Sequence, residues 1–225
     1  MNSVCSINDI SFAYADIPVF SHASLDIFPQ DFLALIGDNG AGKSTLMNLI
    51  LGNLFPSDGS ISLFGDLISQ NNHHREIAYV SQNSVLGYRN FPTTIKELVS
   101  IHRSFLHVQQ DVVDLLKIVQ LEDHLDQALS ELSGGQLQRV GILLALLKDA
   151  KLILLDEPTS GIDKKFSKDL YELLQRLCSC GKTVVLITHH VHELANYAGR
   201  VIKLEDKTLN EIPAHVWKEG VSVCD

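Results

Sequence analysis

The 225-residue sequence has little positive charge and no long apolar run. It contains 18 lysines and arginines against 27 aspartates and glutamates, which gives a net charge of -9. A general nucleic-acid-binding protein of this size is more often basic, so this class of protein is disfavoured. The longest apolar run, "ILLALL" at residues 142–147, is far shorter than the roughly 18 residues that a membrane span requires. We therefore expect a chain that does not cross a bilayer by itself.

Cysteine is also scarce, and signals for export are missing. The four cysteines follow neither a zinc-finger spacing nor a disulfide framework, so we expect reduced thiols at Cys5, Cys178, Cys180 and Cys224. The first residues, "MNSVCSINDI", have no basic flank and no apolar core, and they do not predict a signal peptide. Hydrophobic residues make up 45% of the chain and charged residues 20%, which is typical of a globular protein with a large core.

The hydrophobic pattern predicts an α/β core. The segment "FLALIG" at residues 32–37 is a continuous apolar run that stops at glycine, as a buried parallel strand does. A helix is expected directly after it, and a second helix at residues 163–178. Further strands are expected at residues 4–12, 22–28, 59–65 and 76–82, and in the segments "KLILLDE" and "TVVLITHH".

The middle of the chain has a different pattern. The segments "TTIKELVSIH" and "DVVDLLKIVQL" have helical periodicity, with Thr93 and Asp111 as predicted caps. We therefore expect one domain over residues 1–225. Its core would be a mostly parallel sheet with an N-terminal antiparallel β part, and a helical lobe would be inserted at residues 83–147.

The segment "GDNGAGKST" at residues 37–45, here called the phosphate loop, matches the pattern G-x-x-x-x-G-K-[ST]. A buried strand precedes it and a helix follows, which is the context that this pattern requires. Glycines let backbone N–H groups turn inward around phosphates, the lysine reaches the β- and γ-phosphates, and the serine hydroxyl binds Mg²⁺. The predicted binding residues are Gly37, Asp38, Asn39, Gly40, Ala41, Gly42, Lys43, Ser44 and Thr45.

Two carboxylates follow the apolar run of "LILLDE". Asp156 would stand at the carboxyl edge of the sheet, where a carboxylate that helps to hold Mg²⁺ belongs. Glu157 points differently off the strand end, which suits it to the water that attacks the γ-phosphate. An unperturbed glutamate is a weak base at neutral pH, with a pKa of about 4.3. Most of the acceleration must then come from fixed positive groups and aligned donors, more than one loop supplies.

A second phosphate cradle is predicted in "ELSGGQLQRV", where Ser133, Gly134 and Gly135 stand at the start of a helix. The segment "LSGGQ" at residues 132–136, here called the signature loop, together with the phosphate loop and "LLDEP", resembles the ATP-binding subunits of ABC transporters. The resemblance covers nearly the whole chain. It implies an ATPase of the P-loop fold, with ATP and Mg²⁺ bound.

The resemblance assigns roles residue by residue. Tyr14 matches the aromatic residue that stacks on adenine, and Gln82 matches the glutamine that contacts Mg²⁺ and joins the core to the helical lobe. Asp163 matches the loop aspartate that crosses a dimer interface, and His189 matches the switch histidine near the γ-phosphate. The implied catalytic residues are Lys43, Gln82, Glu157 and His189, and the implied Mg²⁺ ligands are Ser44, Gln82 and Asp156. The implied ATP contacts across the interface are Ser133, Gly134, Gly135 and Gln136.

Members of this family pair head to tail, so the signature loop of one subunit covers the nucleotide on the phosphate loop of the other. The resemblance thus implies an ATP-bound homodimer. It also implies an integral membrane permease subunit, an extracytoplasmic solute-binding protein, and a cytoplasmic place on the inner face of the membrane. No nucleic-acid partner is expected. Two departures from the family pattern are His190, where aspartate is usual, and "SGID" in the interface loop.

The cargo is suggested by a weaker resemblance. The segment "FPTTIKELV" is similar to the ATP subunits of zinc and manganese importers, and Phe91 is a candidate anchor for the permease. Ten histidines could suggest a zinc site at His73, His74 or "HHVH", but no cysteine or carboxylate spacing supports a closed site. Three alternatives stay open: a transporter for another solute, a soluble ATPase of the family that acts on ribosomes or DNA, and a module that binds ATP without hydrolysing it.

Overall fold

The computed structural model describes residues 2–81, 90, 92–107, 112–159, 163–189 and 191–218. The strands of these residues are β1 (Cys5–Tyr14), β2 (Ile17–Ile27), β3 (Phe32–Ile36), β4 (Asp58–Leu63), β5 (Asp66–Leu67), β6 (Ile77–Val80), β7 (Leu152–Asp156), β8 (Thr183–Ile187), β9 (Arg200–Glu205) and β10 (Thr208–Ile212). The helices are α1 (Lys43–Ile50), α2 (Ile95–Leu106), α3 (Val113–Ile118), α4 (Gly134–Leu147), α5 (Lys164–Ser179), α6 (Val191–Leu194) and α7 (Ala214–Lys218).

The described strands form two sheets. The larger sheet has the order β10-β9-β3-β8-β7-β6, in which the five strands from β9 to β6 are parallel and β10 pairs antiparallel at the edge. The smaller sheet, β2-β1-β4-β5, is antiparallel throughout. The predicted α/β fold class, a mostly parallel sheet with an N-terminal antiparallel part, is therefore confirmed.

The strand that leads into the phosphate loop lies in the middle of the larger sheet. Both neighbours of β3 come from late in the chain, because Leu33 is paired with Val185 of β8 on one side and with Arg200 of β9 on the other. The carboxyl ends of β3, β7 and β8 lie at one edge of the sheet, since these strands are parallel. Ligands of open α/β sheets bind at this edge.

Alternate residues of the parallel strands face two different cores. Ala34 and Ile36 of β3 pack into a core that includes apolar residues of α2, α3, α4 and α5. Leu33 and Leu35 face the opposite side, where α1 and the antiparallel sheet cover the strands. The side-chain period of two in a strand explains this division. Because both faces are covered, the parallel strands are apolar along their length, as in "LILL" of β7.

The helical segment between β6 and β7 begins at a cap one residue later than predicted. Thr94, not Thr93, is the N-cap of α2, since its hydroxyl accepts a hydrogen bond from the backbone N–H of Glu97. The Glu97 carboxylate accepts in return from the Thr94 N–H at 3.0 Å and from the Thr93 hydroxyl at 2.9 Å, so Thr93 supports the cap without forming it. Asp111 lies outside the described residues. The boundaries of an inserted lobe at residues 83–147 stay a prediction.

The last part of the described chain contains structure that the sequence did not predict. β10 extends the larger sheet. α7 places Trp217 in the same core as Ala34 and Ile36, with only 1% of its surface exposed. Among the described helices, none combines the length and the apolar composition that crossing a membrane requires.

Candidate functional site

The phosphate loop connects the end of β3 to α1 through three glycines with positive φ. Gly37 has a φ of 150°, Gly40 of 82° and Gly42, the N-cap of α1, of 111°. A Cβ atom on Gly42 would lie 2.4 Å from Cγ1 of Val19, and one on Gly37 would lie 2.6 Å from the carbonyl oxygen of Leu204. The close approaches and the backbone conformations together explain why glycine is required at these two positions.

The N-terminus of α1 is open. No side chain caps it, so no side chain occupies its first backbone N–H groups, and the residues of this terminus, Gly42 to Thr45, line the cleft beside the loop. This cleft has a volume of about 280 Å³. Its lining residues are Asn39, Gly40, Gly42, Lys43, Ser44, Thr45, Asp156 and Glu157. An open helix N-terminus with inward N–H groups is a binding site for phosphate.

The Lys43 side chain folds back onto the first residues of the phosphate loop. Its ammonium group donates hydrogen bonds to the carbonyl oxygens of Gly37, at 2.6 Å, and Asp38, at 2.8 Å. Burial lowers the pKa of the Lys43 ammonium, while Glu157 and Asp156 act in the opposite direction. The cation is therefore held next to the cleft and close to two carboxylates, where a phosphate group could replace the carbonyl oxygens.

Ser44 and Asp156 form an oxygen pair on the floor of the cleft. The Ser44 hydroxyl donates to Oδ2 of Asp156 at 2.8 Å. Burial raises the pKa of the Asp156 carboxyl, and Glu157 contributes in the same direction, while the Ser44 hydrogen bond, Lys43 and His189 lower it. A buried carboxylate whose charge is unfavourable is stabilised by a cation.

This donor set fits Mg²⁺, which prefers oxygen ligands and binds through one or two protein oxygens together with phosphates and water. Among the described residues, no group of three or more histidines, cysteines, aspartates and glutamates is arranged to hold a metal ion. The Ser44–Asp156 pair therefore fits an ion that is shared with the nucleotide phosphates. It does not form a complete protein cage.

Glu157 and His189 meet at the same edge of the sheet. Glu157 directly follows β7, and His189 follows β8 by two residues. The Oε1 atom of Glu157 lies 2.7 Å from Nε2 of His189. The Glu157 backbone has a φ of 49°, in the left-handed region, and its N–H donates to the carbonyl of Ile187 at 3.1 Å. The structure thus brings together two of the four predicted catalytic side chains, Glu157 and His189, beside the cleft.

Tyr14 stands next to the phosphate loop at the end of β1. About half of its surface is exposed, and its hydroxyl lies 3.5 Å from the Thr45 hydroxyl. The Tyr14 ring makes a T-shaped contact with the Phe12 ring, at 5.0 Å between ring centroids, which orients it. An exposed, oriented ring at this place is suited to stacking on a base. Gln82, which was predicted to contact Mg²⁺ and to join the core to the helical lobe, lies outside the described residues.

The signature loop leads into α4, and side chains of the loop cap the N-terminus of this helix. The Ser133 hydroxyl accepts from the Gln136 N–H at 3.3 Å, and the Gln136 side chain accepts from the Ser133 N–H at 2.9 Å. A Cβ atom on Gly134 would meet nothing within 4 Å. None of residues 132–136 is among the described residues that line the phosphate cleft. Within one subunit, the two predicted cradles are thus separate sites.

Asp163 caps α5 and is tied to α4. Its Oδ1 accepts from the Phe166 N–H at 2.9 Å, and its Oδ2 accepts from Nη2 of Arg139 at 2.7 Å. The hydrogen bond from the Phe166 backbone, together with Arg139, holds the pKa of the Asp163 carboxyl below its usual value.

Two contact residues were missed from the sequence. Gln138 donates to the carbonyl oxygen of Glu157 at 2.9 Å, and Arg139 binds Asp163. Both lie in "LQRV" directly after the signature loop. The available signal was their polarity in a helix that is otherwise mostly apolar, since an amide and a guanidinium there require partners.

Comparison with known proteins agrees with this geometry. Residues 20–160 match the family model described as ABC transporter. The chain is 34% identical to the zinc uptake system ATP-binding protein ZurA of Listeria innocua, over 97% of this chain and 89% of that protein. It is 35% identical to the ergothioneine transport ATP-binding protein EgtV of Helicobacter pylori, over 91% and 99%.

Among solved structures, one titled as an ATP binding subunit of an ABC transporter superposes with a TM-score of 0.84. It is 25% identical in sequence, and the match covers 95% of this chain and 91% of that one. The fold, the phosphate loop, the carboxylates of β7 and the signature loop all agree with this similarity. The chain belongs to the ABC transporter family and is an ATP-binding subunit, of the class of ATPases whose hydrolysis of ATP powers transport.

Proposed function

We propose that this subunit hydrolyses Mg²⁺-bound ATP in a head-to-tail homodimer and powers the import of zinc or manganese. The observation that supports the catalytic part is that one cleft is lined by Lys43, Ser44, Asp156 and Glu157, with His189 in contact with the Glu157 carboxylate. Lys43 would exchange its bonds to the loop carbonyls for bonds to the β- and γ-phosphates. Ser44 and Asp156 would hold Mg²⁺, which when bound would neutralise phosphate charge.

Glu157 would orient the attacking water and accept its proton. Its carboxylate lies at the cleft wall and contacts His189, which would hold the carboxylate and reach the γ-phosphate. General-base assistance is worth roughly 10²–10⁴ in rate. The remaining stabilisation would come from Lys43, from the N-terminus of α1 and from donors of a second subunit. Tyr14 would stack on the adenine, and Gln82 stays a predicted Mg²⁺ contact.

The signature loop would supply those further donors in trans. Its Ser133 hydroxyl and the N–H groups of Gly134 and Gly135 stand at a helix N-terminus with open space beside Gly134. Gln136 and Asp163 would contact the nucleotide and the opposite subunit across the same interface. Binding of the γ-phosphate would then hold two subunits together, and hydrolysis would release them.

The test of the base is Glu157→Gln. This variant should bind ATP and Mg²⁺, hydrolyse ATP very slowly and accumulate as an ATP-bound dimer in gel filtration. Lys43→Ala should fail earlier, at ATP binding in calorimetry, because the triphosphate loses its main cationic contact. A Glu157→Gln variant with normal phosphate release would overturn the assignment of the base.

The test of the shared sites uses two variants that carry different lesions. In a heterodimer of a Ser133→Arg subunit with a Lys43→Ala subunit, one site keeps all its phosphate contacts and the other site carries both lesions. ATP-driven closure should return in the mixture and be absent from each variant alone. If the mixture closes no better than the separate variants, the head-to-tail arrangement is wrong.

The permease would dock on the helical segment between residues 83 and 107, on the cytoplasmic face of the membrane. In the described part of this segment, α2 exposes two large apolar side chains four residues apart, Ile101 at 59% and Phe105 at 79%. Residues four apart lie on one face of a helix. An apolar pair of this kind is suited to a contact with another protein. Phe91, the anchor predicted from sequence, lies outside the described residues.

The zinc or manganese cargo is supported by the similarity to the zinc uptake subunit and by the "FPTTIKELV" segment. The chain has a similar sequence identity to an ergothioneine transport subunit, so identity alone does not determine the cargo. Other subunits select the cargo, including an expected extracytoplasmic solute-binding protein, and the cargo therefore requires its own test. A deletion strain should lose uptake of radiolabelled zinc or manganese. Normal uptake of both, with loss of another solute, would leave the ATPase standing and overturn the cargo.

A matched pair of variants tests the docking surface. Phe105→Asp should reproduce the uptake defect of the deletion while leaving ATP binding intact. Phe55→Asp changes a phenylalanine that is also exposed, at 56%, but lies between α1 and β4, and it should have normal uptake. Equal uptake by both variants would exclude α2 as the docking surface.

A further inference from the structure

Gln138 connects the helix behind the signature loop to the catalytic glutamate of the same subunit. Its Nε2 atom donates to the backbone carbonyl oxygen of Glu157 at 2.9 Å, in a partly buried position. Ser133 and Gln138 belong to the same helix, five residues apart, and are separated by about 7.5 Å along its axis. A helix turn is stiff, so a displacement of the signature loop also moves the Gln138 amide.

The backbone of Glu157 needs fixed partners. A φ of 49° is unfavourable for a side chain other than glycine, and such conformations persist when the surroundings determine them. The Glu157 N–H is held by Ile187 of β8, and its carbonyl is held by Gln138 of α4. The Glu157 backbone, from which the carboxylate projects, is therefore held by one partner in the sheet and one in the helix, while His189 contacts the carboxylate itself.

The neighbouring residue joins the same helix to the next functional loop. The Arg139 guanidinium donates to Oδ2 of Asp163 at 2.7 Å and to Oε1 of Gln120 at 2.8 Å, and it lies 4.4 Å from the Phe166 ring centroid. Its side chain is only 13% exposed. Three contacts on a largely buried guanidinium fix the position of α4 relative to Asp163 and to the start of α5.

We infer that Gln138 is a positioning residue. When the signature loop of one subunit contacts the nucleotide of the partner, Gln138 transmits this contact to Glu157 of its own subunit and so determines the position of the Glu157 carboxylate. This inference rests on the proposed function, because it requires that Glu157 is the base and that the signature loop acts in trans. It explains how each of two shared sites responds to ATP in the other. When the signature loop closes on the partner's nucleotide, α4 moves and Gln138 carries the Glu157 backbone with it.

The first experiment is a double-mutant comparison. Gln138→Met keeps the length of the side chain and removes the N–H donor. We expect kcat to fall by about 10–100-fold, within the range that general-base assistance supplies, with unchanged ATP affinity and a melting temperature lower by no more than a few degrees. In the Glu157→Gln background, Gln138→Met should cause no further loss in single-turnover hydrolysis, because its effect passes through the Glu157 carboxylate.

The matched control is Gln175→Met. The Gln175 amide also donates to backbone carbonyls, those of Asn196 and Tyr197, but none of these residues lines the phosphate cleft in the described structure. It should keep the wild-type kcat. A second variant, Gln138→Glu, has the same shape and cannot donate when ionised but can donate when protonated. The ratio of its kcat to that of Gln138→Met should rise as pH falls toward the carboxyl pKa, about 4.3.

The outcomes separate the inference from the proposed function. If Gln138→Met has normal turnover while Glu157→Gln is inactive, the inference is overturned and the ATPase assignment stands. If Gln138→Met lowers hydrolysis by the same factor in both backgrounds, Gln138 acts independently of Glu157, and the inference is again overturned. If Gln138→Met unfolds, the pH dependence of Gln138→Glu decides: a flat profile of its kcat relative to wild type rejects the inference.

Discussion

The two phosphate cradles of this chain are built on helix N-termini of opposite kinds. At the start of α1, Gly42 is the N-cap, its φ is 111°, and no side chain satisfies the backbone N–H groups. At the start of α4, Ser133 has an extended backbone, and a reciprocal capping box with Gln136 satisfies both residues. The first cradle is held open by strained backbone that only glycine adopts, and the second is already closed by its own side chains.

This difference fits the division of roles that we propose for the two cradles. An uncapped terminus with inward N–H groups and an adjacent ammonium is prepared for a triphosphate in a single subunit. A capped terminus gains less from an anion, because two of its backbone donors, those of Ser133 and Gln136, already have partners. The signature loop is therefore suited to act late, after another subunit has brought a nucleotide already bound to its own phosphate loop.

The largest effect is expected when the open cradle is given a side chain. Gly42→Ala would place Cβ 2.4 Å from Val19 in a φ region that alanine avoids, so we expect a loss of roughly 1–3 kcal/mol of stability. ATP binding should fall at least a hundredfold in calorimetry. The control is Gly40→Ala, which has a φ of 82° but no atom within 4 Å of the new Cβ. An equal loss in both variants would attribute the effect to backbone strain alone.

A smaller effect should separate capping from phosphate binding at the second cradle. Aspartate caps a helix about as well as serine, so Ser133→Asp should keep the melting temperature of the wild type. It should also keep ATP affinity in the monomer. Its carboxylate would repel the partner's γ-phosphate, and ATP-driven dimerisation in the Glu157→Gln background should weaken at least tenfold by analytical ultracentrifugation. Unchanged dimerisation would contradict a role of Ser133 beyond its cap.

A smaller change, in melting temperature, is expected when the Asp156 carboxylate of the first cradle is neutralised. Because burial raises the pKa of the Asp156 carboxyl, its ionised form destabilises the fold above that pKa, and this cost disappears as pH falls through it. Without nucleotide, Asp156→Asn should therefore melt at a higher temperature than the wild type at pH 7. The difference should shrink toward pH 4. A constant difference across this pH range would exclude the carboxyl as its source.

The smallest effect on the isolated subunit is expected at Gly134. A Cβ atom there meets nothing, and alanine is a better helix former, so Gly134→Ala should stabilise the subunit by at most about 0.5–1 kcal/mol. ATP-driven dimerisation should nevertheless weaken, because the proposed function assigns this open space to the partner's nucleotide. Denaturant unfolding and sedimentation of the same sample would measure both changes. A dimer as strong as the wild type would mean that this space is not used.

The sequence predicted the part of this comparison that depends on local chemistry. The apolar run before Gly37, the lysine and serine that follow Gly42, and the serine before two glycines are contiguous signals, and the structure places them at two helix N-termini. The N-cap of α2 was predicted one residue too early, at Thr93, because Thr93 and Thr94 are equally good candidates until the Glu97 side chain is located.

Contacts between distant segments could not be predicted. The bonds from Gln138 to Glu157 and from Arg139 to Asp163 join residues 19 and 24 positions apart, and no local period encodes them. β10 was missed because "TLNEI" alternates poorly, and its strand conformation comes from pairing with β9. Trp217 was missed because a single aromatic residue in a short polar helix does not indicate burial. The roles of the site residues stay predictions.

The position of β3 between β8 and β9 has a consequence for biosynthesis. The strand that carries the phosphate loop leaves the ribosome early, yet both strands that pair with it lie at residues 183–205. At roughly 5–20 residues per second, the nascent chain waits on the order of ten to thirty seconds before its central strand acquires a neighbour. A chain truncated in that interval lacks both strands that pair with β3, so we expect it to be degraded or held by chaperones and not to bind ATP.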